Sequence, residues 1–509
     1  MKRIVFLCIA LFFMSALVFA AGNRQSSAGA GKPEISVITL DRGEVAASEG
    51  TYEDNRWVRW INENSPVRVR IVPVPRTESV ARMTALFAAG AAPDLIWEYG
   101  KGFMDGLYPH GVIQPVDEHI RNYSTAYKNY LASHPELMPY LMADDGRQYG
   151  MTSARNIGSI LNHGLWIRQD WLDKFNMPTP TTTDQVVEFM RRVRDQDPDG
   201  NGARDTFGIT FNYNATVILK TLFGQPFNGF IVRNGRFVDW TSTDGYRDFL
   251  SFWAMLYREG FIDPEYITDT NFSRQTELLV TGKSGIHLGS WSMETQWREL
   301  KTNVPSSNWQ PFEPWTTSQG KFGLYTEPPA NTMVCMNAAS RNARDIMAYM
   351  DWMITDGWFP LIYGLEGRHY RLVSGIPQVI NPDLNRIELN YAGEYPIVNQ
   401  DQPIASWWPI QAAQDPLSQA YVPIQVRAAE IANRNVFNRY VPFTPSSDSI
   451  NRFENETKDQ IEAIETSIVL GRISVDEGLR QINEYKRRFG WDTINAEKDA
   501  WYQKNRSLF

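Results

Sequence analysis

Between residues 34 and 99 short apolar runs alternate with stretches of helical periodicity, and this alternation constrains the fold more than any other feature of the chain. Residues 35–40 are a strand-type run, and 53–64 place Trp57, Trp60 and Ile61 at helical spacing. Residues 67–74 alternate Val with Arg before turning apolar. Residues 79–89 put Val80, Met83, Leu86 and Phe87 on one helical face, stop at Gly90 and lead through Pro93 into Leu95, Ile96 and Trp97. Strand, helix, strand, helix, strand is the signature of an α/β fold with an open, largely parallel sheet. Such sheets bind ligands beyond the carboxyl ends of their strands, which places Arg42, Arg76, Glu98 and Tyr99 at a site. Arg42, Trp97, Glu98 and Tyr99 are candidate ligand contacts, with core packing the competing reading for Trp97. Further helices are expected over 181–194, 245–258 and 343–354, a strand over 332–336, and polar helix at the C-terminal end.

With 509 residues, 43% hydrophobic and 21% charged, the chain has material for about three domains or two large ones. A net charge of −8 without blocks of Lys or Arg argues against nucleic acid and anionic membrane surfaces as partners, since both are held by basic residues. Residues 1–20 hold Lys2 and Arg3, an apolar run, then small residues, which reads as a cleaved secretory signal peptide. That run is shorter than the roughly 20 residues of a spanning helix. Residues 21–33 read as a flexible Gly-rich leader. No Cys follows the small residues, so a periplasmic or secreted monomer without a lipid anchor is expected. Cys8 would leave with the signal, and Cys335, in an apolar strand-like run, reads as a buried thiol.

Catalytic signatures are missing. The six His residues form no HExxH and no helical i, i+4 pair. Gly282-Lys283-Ser284 ends like a P-loop, but Glu277 stands where the first glycine belongs. No catalytic residue is assigned, and the chain is not expected to be an enzyme.

Two positive signals stand out. Residues 197–205 (DPDGNGARD) match the first nine positions of an EF-hand-type loop, with oxygen side chains at Asp197, Asp199, Asn201 and Asp205, a turn glycine at Gly202 and a carbonyl at Ala203. Structural calcium is expected there, although Gly208 occupies the position of the closing Glu; the bland alternative is a solvated turn. The second signal is 17 Trp, 22 Tyr and 26 Phe, several beside charged residues. Saccharides present apolar faces edged with hydroxyls, so rings beside carboxylates and guanidinium groups suit them. Trp166 with Arg168, Trp291, Glu366 with Arg368 and Tyr370, and Trp407 with Trp408 join the candidate contacts on this ground.

Motifs in order along the chain carry a resemblance. Residues 91–97 (AAPDLIW), 145–150 (DGRQYG), 165–172 (LWIRQDWL) followed by Pro180 and the 197–202 loop, and 363–370 (YGLEGRHY) together resemble the carbohydrate-type family 1 extracellular solute-binding proteins of ABC transporters. The similarity is to the long members related to LplA and the alginate-oligosaccharide-binding proteins. It implies a two-lobed, type II periplasmic-binding fold, each lobe a mostly parallel sheet flanked by helices, with extra C-terminal helices. Lobe 1 is expected at 34–152 and 329–371 and lobe 2 at 153–328 and 372–509, with hinge crossings near 152, 328 and 371. In the alginate-binding relatives the loop holds calcium through positions corresponding to Asp197, Asp199, Asn201, Ala203, Asp205 and an acid where this chain has Thr206.

The implied function is capture of a carbohydrate, an oligosaccharide, in the interlobe cleft and delivery to the permease subunits of an ABC transporter. A secreted glycoside hydrolase or lyase is the alternative, and a binding module feeding a membrane sensor kinase is a third reading.

Overall fold

The computed structural model describes residues 31–155, 164–211, 216–226, 229–269, 273–289, 292–325, 329–330, 332–400, 404–437, 444–445 and 447–506. The signal peptide, most of the leader and the crossing expected near 328 lie outside these residues. The first alternation folds as read: β1 (Glu34–Asp41), helix Arg56–Asn64, β2 (Arg68–Pro75), helix Ser79–Ala88 and β3 (Leu95–Tyr99). Asn55 starts the first helix, its side-chain oxygen accepting from the amides of Trp57 and Val58, which turns Trp57, Val58 and Ile61 onto the sheet. On the second helix only part of the expected face is covered. Met83 is buried and Leu86 and Phe87 partly so, but Val80 remains 56% exposed.

β1 pairs in parallel with β2, from Glu34↔Arg68 to Asp41↔Pro75, and in parallel with β3. The rest of this sheet departs from the expected parallel pattern. A strand from far along the chain, Thr332–Asn337, runs antiparallel to β3 and also pairs with the short strands Ile113–Gln114 and Gly150–Met151. It enters opposite Tyr99, at the carboxyl end of β3, and so runs back down the sheet. The second sheet is mixed as well. Strand Gly164–Arg168 lies between antiparallel partners Trp309–Pro311 and Ser284–Gly289, and the latter is parallel to Phe207–Thr210.

Two apolar cores follow the two sheets. One gathers Val37, Ile38, Leu95, Ile96, Trp57, Met333, Val334 and Met347; the other gathers Leu165, Ile167, Phe189, Phe249, Trp253, Ile286 and Trp315. The expected helices appear at Thr183–Asp195, Asp244–Arg258 and Ala343–Trp352. The C-terminal end is three helices, Asp448–Val469, Val475–Arg488 and Trp491–Lys504, whose Ile464, Ile468, Val469 and Ile482 enter the second core.

The crossing expected near 371 is not found there. Tyr370–Val373 turns back on Ile376–Val379 as a hairpin, and Leu389, Tyr391, Tyr395, Ile397 and Val398 all pack into the first core. Ion pairs fasten this stretch: Glu388 is held by Arg368 at 2.6 Å and Arg56 at 2.5 Å, and Trp57 Nε1 donates to the Glu388 carbonyl at 2.6 Å. The chain leaves the first core near 399 instead. There Ser153 Oγ donates to Asn399 Oδ1 and accepts from its amide, both at 3.0 Å, while Thr152 Oγ1 donates to the Thr332 carbonyl and the Arg155 amide donates to the Pro329 carbonyl at 2.7 Å.

Cys335 is fully buried at the centre of its strand, and burial pushes its thiol well above the ordinary value. A thiol reagent is therefore expected to leave the native protein unmodified and to titrate one thiol after denaturation of protein lacking residues 1–20.

Candidate functional site

The three parallel strands end in register, so the side chains that follow them share one rim. Arg42 Nε donates to Glu394 Oε1 at 2.6 Å and its Nη2 to the Tyr99 hydroxyl at 2.9 Å. The Arg76 guanidinium lies 5.0 Å from the centroid of the Tyr99 ring, with Nη1 3.4 Å from Glu98 Oε2. Burial raises the Tyr99 phenol above its ordinary value and pushes the Glu394 carboxyl up against the pull of Arg42. Glu394 Oε2 is buried without a hydrogen-bond partner among the described residues, an open acceptor beside Arg42. Glu98 is a strut of this rim, buried and accepting from the Ser79 hydroxyl and the Tyr99 amide.

A cavity of about 1000 Å³, at the upper end of small-molecule sites, is walled by both packing units. Leu361, Leu389 and Asn390 come from elements of the first unit, Glu294, Arg298 and Tyr421 from elements of the second, and Trp408 from the helix Ile404–Gln411. Arg298 Nη1 donates to Asp415 Oδ1 at 2.8 Å and to Ser418 Oγ at 2.9 Å, and Ser418 Oγ donates to Glu294 Oε1 at 2.9 Å. Asp415 also caps the helix Pro416–Arg434 by accepting from the amides of Leu417 and Ser418. An aromatic ring, a guanidinium and carboxylates around so large a space can stack on and bracket a hydroxyl-rich ligand.

The expected contacts are distributed unevenly. Arg42, Glu98 and Tyr99 meet at the rim, and Trp408 lines the cavity. Trp407 is half-buried, its ring 6.3 Å from that of Tyr363. Trp97 is packed inside, its Nε1 donating to the Ile38 carbonyl at 3.0 Å. Trp166 is also internal, among Leu279, Met293 and Trp297. Arg168 is buried as a structural clamp, forked onto Asp170 at 2.8 and 2.6 Å, donating to the Gly282 carbonyl and lying 4.1 Å from the Trp171 ring. Trp166 and Arg168, two apart on a strand paired on both edges, share one face, and that face is covered at Trp166 by Leu279, Met293 and Trp297 and at Arg168 by the Gly282 carbonyl. Glu366 is exposed in a turn, Arg368 is bound to Glu388, and Tyr370 packs edge-on against Phe359. Trp291 lies outside the described residues. Glu394, Arg298, Asp415 and Tyr421 were not singled out from sequence; only Glu394, between Tyr391 and Tyr395, shows the aromatic-with-carboxylate pattern that could have found it.

The 197–205 loop forms the expected turn, but its oxygen groups are already engaged by the protein. Asp197 accepts from the amides of Gly200, Asn201 and Gly202 at 3.1, 3.2 and 2.9 Å. Asp199 and Asp205 both accept from Lys283 Nζ, at 2.8 and 2.7 Å. The Thr206 hydroxyl donates to the Val193 carbonyl at 3.0 Å, away from the loop. A side chain at Gly208 would run into Met190, with a Cβ only 2.5 Å from that residue's own, so the closing position cannot carry a Glu in this packing. Among the described residues no group of three or more His, Cys, Asp or Glu is arranged to hold a metal. The residues present do not fit calcium in this arrangement.

Asp415 generates a pH prediction. Burial works to raise its carboxyl, but hydrogen bonds from Arg298 and Ser418 prevail and bring it to about 2 from 3.8. A depressed carboxyl contributes stability above its unfolded value and loses it as pH falls through the folded one. Denaturant midpoints of the wild type should therefore exceed those of Asp415→Asn above about pH 4, and the gap should close between about pH 4 and 2.

Residues 54–358, more than half of the chain, match the family model of the bacterial extracellular solute-binding proteins. The polygalacturonan/rhamnogalacturonan-binding protein YtcQ of Bacillus subtilis (strain 168) is 24% identical over 383 residues, covering 72% of this chain and 74% of its own. Among solved structures, the S. pneumoniae ABC-transporter substrate-binding protein FusA in complex with kestose superposes with a TM-score of 0.74 at 16% identity, over 94% of this chain and 100% of that one. The alginate-binding protein AlgQ2 without calcium ion does so with a TM-score of 0.72 at 18% identity, over 93% and 99%. An EF-hand mutant of FusA in complex with fructo-nystose has the same fold, with a TM-score of 0.73 at 17% identity. The fold is therefore the two-lobed periplasmic-binding type, and with the family match to its sequence the chain belongs to the bacterial extracellular solute-binding proteins.

Proposed function

We propose that this protein captures an oligosaccharide between its lobes, outside the cytoplasm, and hands it to the permease of an ABC transporter without chemistry of its own. The observation that carries the reading is the cavity of about 1000 Å³ whose walls come from both packing units. A ligand touching both is held more tightly in the closed arrangement than in the open one, and that difference drives closure. The first lobe comprises 34–152 and 329–398, the second 164–325 and 404–506, with the laced segment at Ser153 and Asn399 as the hinge. Trp408 supplies a stacking face, and Glu294, Arg298 and Asn390 bracket hydroxyls; Arg42, Tyr99 and Glu394 contribute from the rim. The relatives support a saccharide ligand: YtcQ is named for polygalacturonan and rhamnogalacturonan, FusA is seen with kestose, and AlgQ2 is named for alginate. No helix among the described residues is long and apolar enough to cross a membrane. The 197–205 loop enters as part of the scaffold.

Isothermal titration calorimetry against neutral and uronic oligosaccharides tests the reading. A saturable one-site heat with the sugar recovered intact is the expected result, and a sustained heat rate proportional to protein concentration would instead establish turnover. Trp408→Ala should weaken the binding partner so found about tenfold, roughly 1.4 kcal/mol, while Trp408→Phe retains most of the affinity.

A further inference from the structure

The calcium-type loop at 197–205 already contains a cation, supplied by the chain itself. Lys283 precedes the strand Ser284–Gly289, and its ammonium sits between two of the carboxylates that such a loop would offer a metal, 2.8 Å from Asp199 Oδ2 and 2.7 Å from Asp205 Oδ2. Asn201 Nδ2 donates to the same two carboxylates at 3.0 and 3.1 Å, so its amide presents a donor where a metal would require an acceptor. A second lysine takes the loop's carbonyls: Lys174 Nζ donates to those of Asp197 and Pro198 at 3.2 and 2.9 Å. Of the later positions of the loop, the Thr206 hydroxyl is turned away and Gly208 is packed against Met190.

We propose that Lys283 is the resident cation of this loop, standing in for the divalent ion that the turn geometry would otherwise hold, so that the protein folds and binds its ligand independently of calcium. Calcium would have to displace the ammonium from both carboxylates before gaining either. A loop whose Asp199 and Asp205 already hold an ammonium and whose Asp197 is engaged by three amides has little to repay that displacement, because affinity in such loops follows the number and charge of the oxygen ligands free to turn to the ion. The tethered ammonium is also always at hand, whereas a free ion stabilises only in proportion to its concentration relative to Kd.

Thermal unfolding of the full mature protein in millimolar calcium and in chelator tests this directly. The two Tm values should agree within about 1 °C, and a calcium titration should show no saturable heat below millimolar concentration. A calcium-dependent rise beyond that, or submillimolar binding removed by substitution of Asp199, overturns the proposal. Lys283→Met should lower Tm in chelator by about 3 °C or more and recover part of the loss on addition of calcium, while Lys283→Arg stays near the wild type. A Lys283→Met protein as stable as the wild type in chelator would equally overturn it. If that variant does not fold, the wild-type comparison decides alone.

Discussion

Everything in this molecule hangs on the place where three separate passages of the chain are laced together. Thr152 to Arg155 lead out of the first sheet, Pro329 to Thr332 lead back in, and Asn399 lies where the chain departs again; Ser153, Thr152 and Arg155 bond one passage to the others. Ala154 and Ala330 also pair as a single antiparallel bridge. The Thr152 and Ser153 hydroxyls reach the other two passages, and the Arg155 amide adds a main-chain bond to the Pro329 carbonyl, so main-chain groups that would otherwise be unpaired are satisfied. Tyr127 buttresses this point from within the first core, its hydroxyl donating to the Thr152 carbonyl and accepting from the Thr152 amide, both at 2.7 Å. Because Thr332 stands opposite Tyr99, the lacing sits at the same end of the sheet as the Arg42, Arg76 and Glu394 rim. The lacing and the rim are thus built from neighbouring positions on one end of the sheet.

Local periodicity made most of the elements legible, since the strands and helices through residue 99 and the helices at 183–195, 244–258 and 343–352 declare their own spacing. Strand direction did not follow from the same signals. The partner of β3 comes from residues 332–337, and nothing in either segment says which way the other runs. The packing of residues 389–398 into the first core was not legible for a related reason. It depends on a charge network among Arg56, Arg368 and Glu388, scattered over more than three hundred positions, and on apolar residues between 389 and 398 that look like those of any other helix.

The site was partly legible. Topology anticipated that Arg42 and Tyr99 would meet at one rim, because carboxyl ends of parallel strands converge wherever the sheet is. Pairing aromatics with charges was a weaker guide. In Arg168 the charge serves the protein, forked onto Asp170 beside Trp171, and in Trp97 the ring's polar edge is satisfied by the Ile38 carbonyl. A ring next to a guanidinium is as useful for closing a core as for holding a sugar, and only burial separates the two. The loop at 197–205 shows the same limit, since its turn is readable from Asp, Asn and Gly but the lysine facing it lies some eighty residues further on.

The position of the C-terminal helices gives the second lobe an unusual finish. Ile464, Ile468, Val469 and Ile482 complete a core otherwise made from residues 165 to 315 and Ala432, and the Tyr246 hydroxyl reaches Glu465 at 2.7 Å. A chain that stops short of Asp448 would carry all the preceding machinery yet present part of the apolar surface around Phe249 and Trp253 to solvent, where chaperones and proteases act on such patches. The helices from Asp448 to Arg488 keep that surface covered, so their docking separates a second core that is hidden from one that is recognised as unfinished.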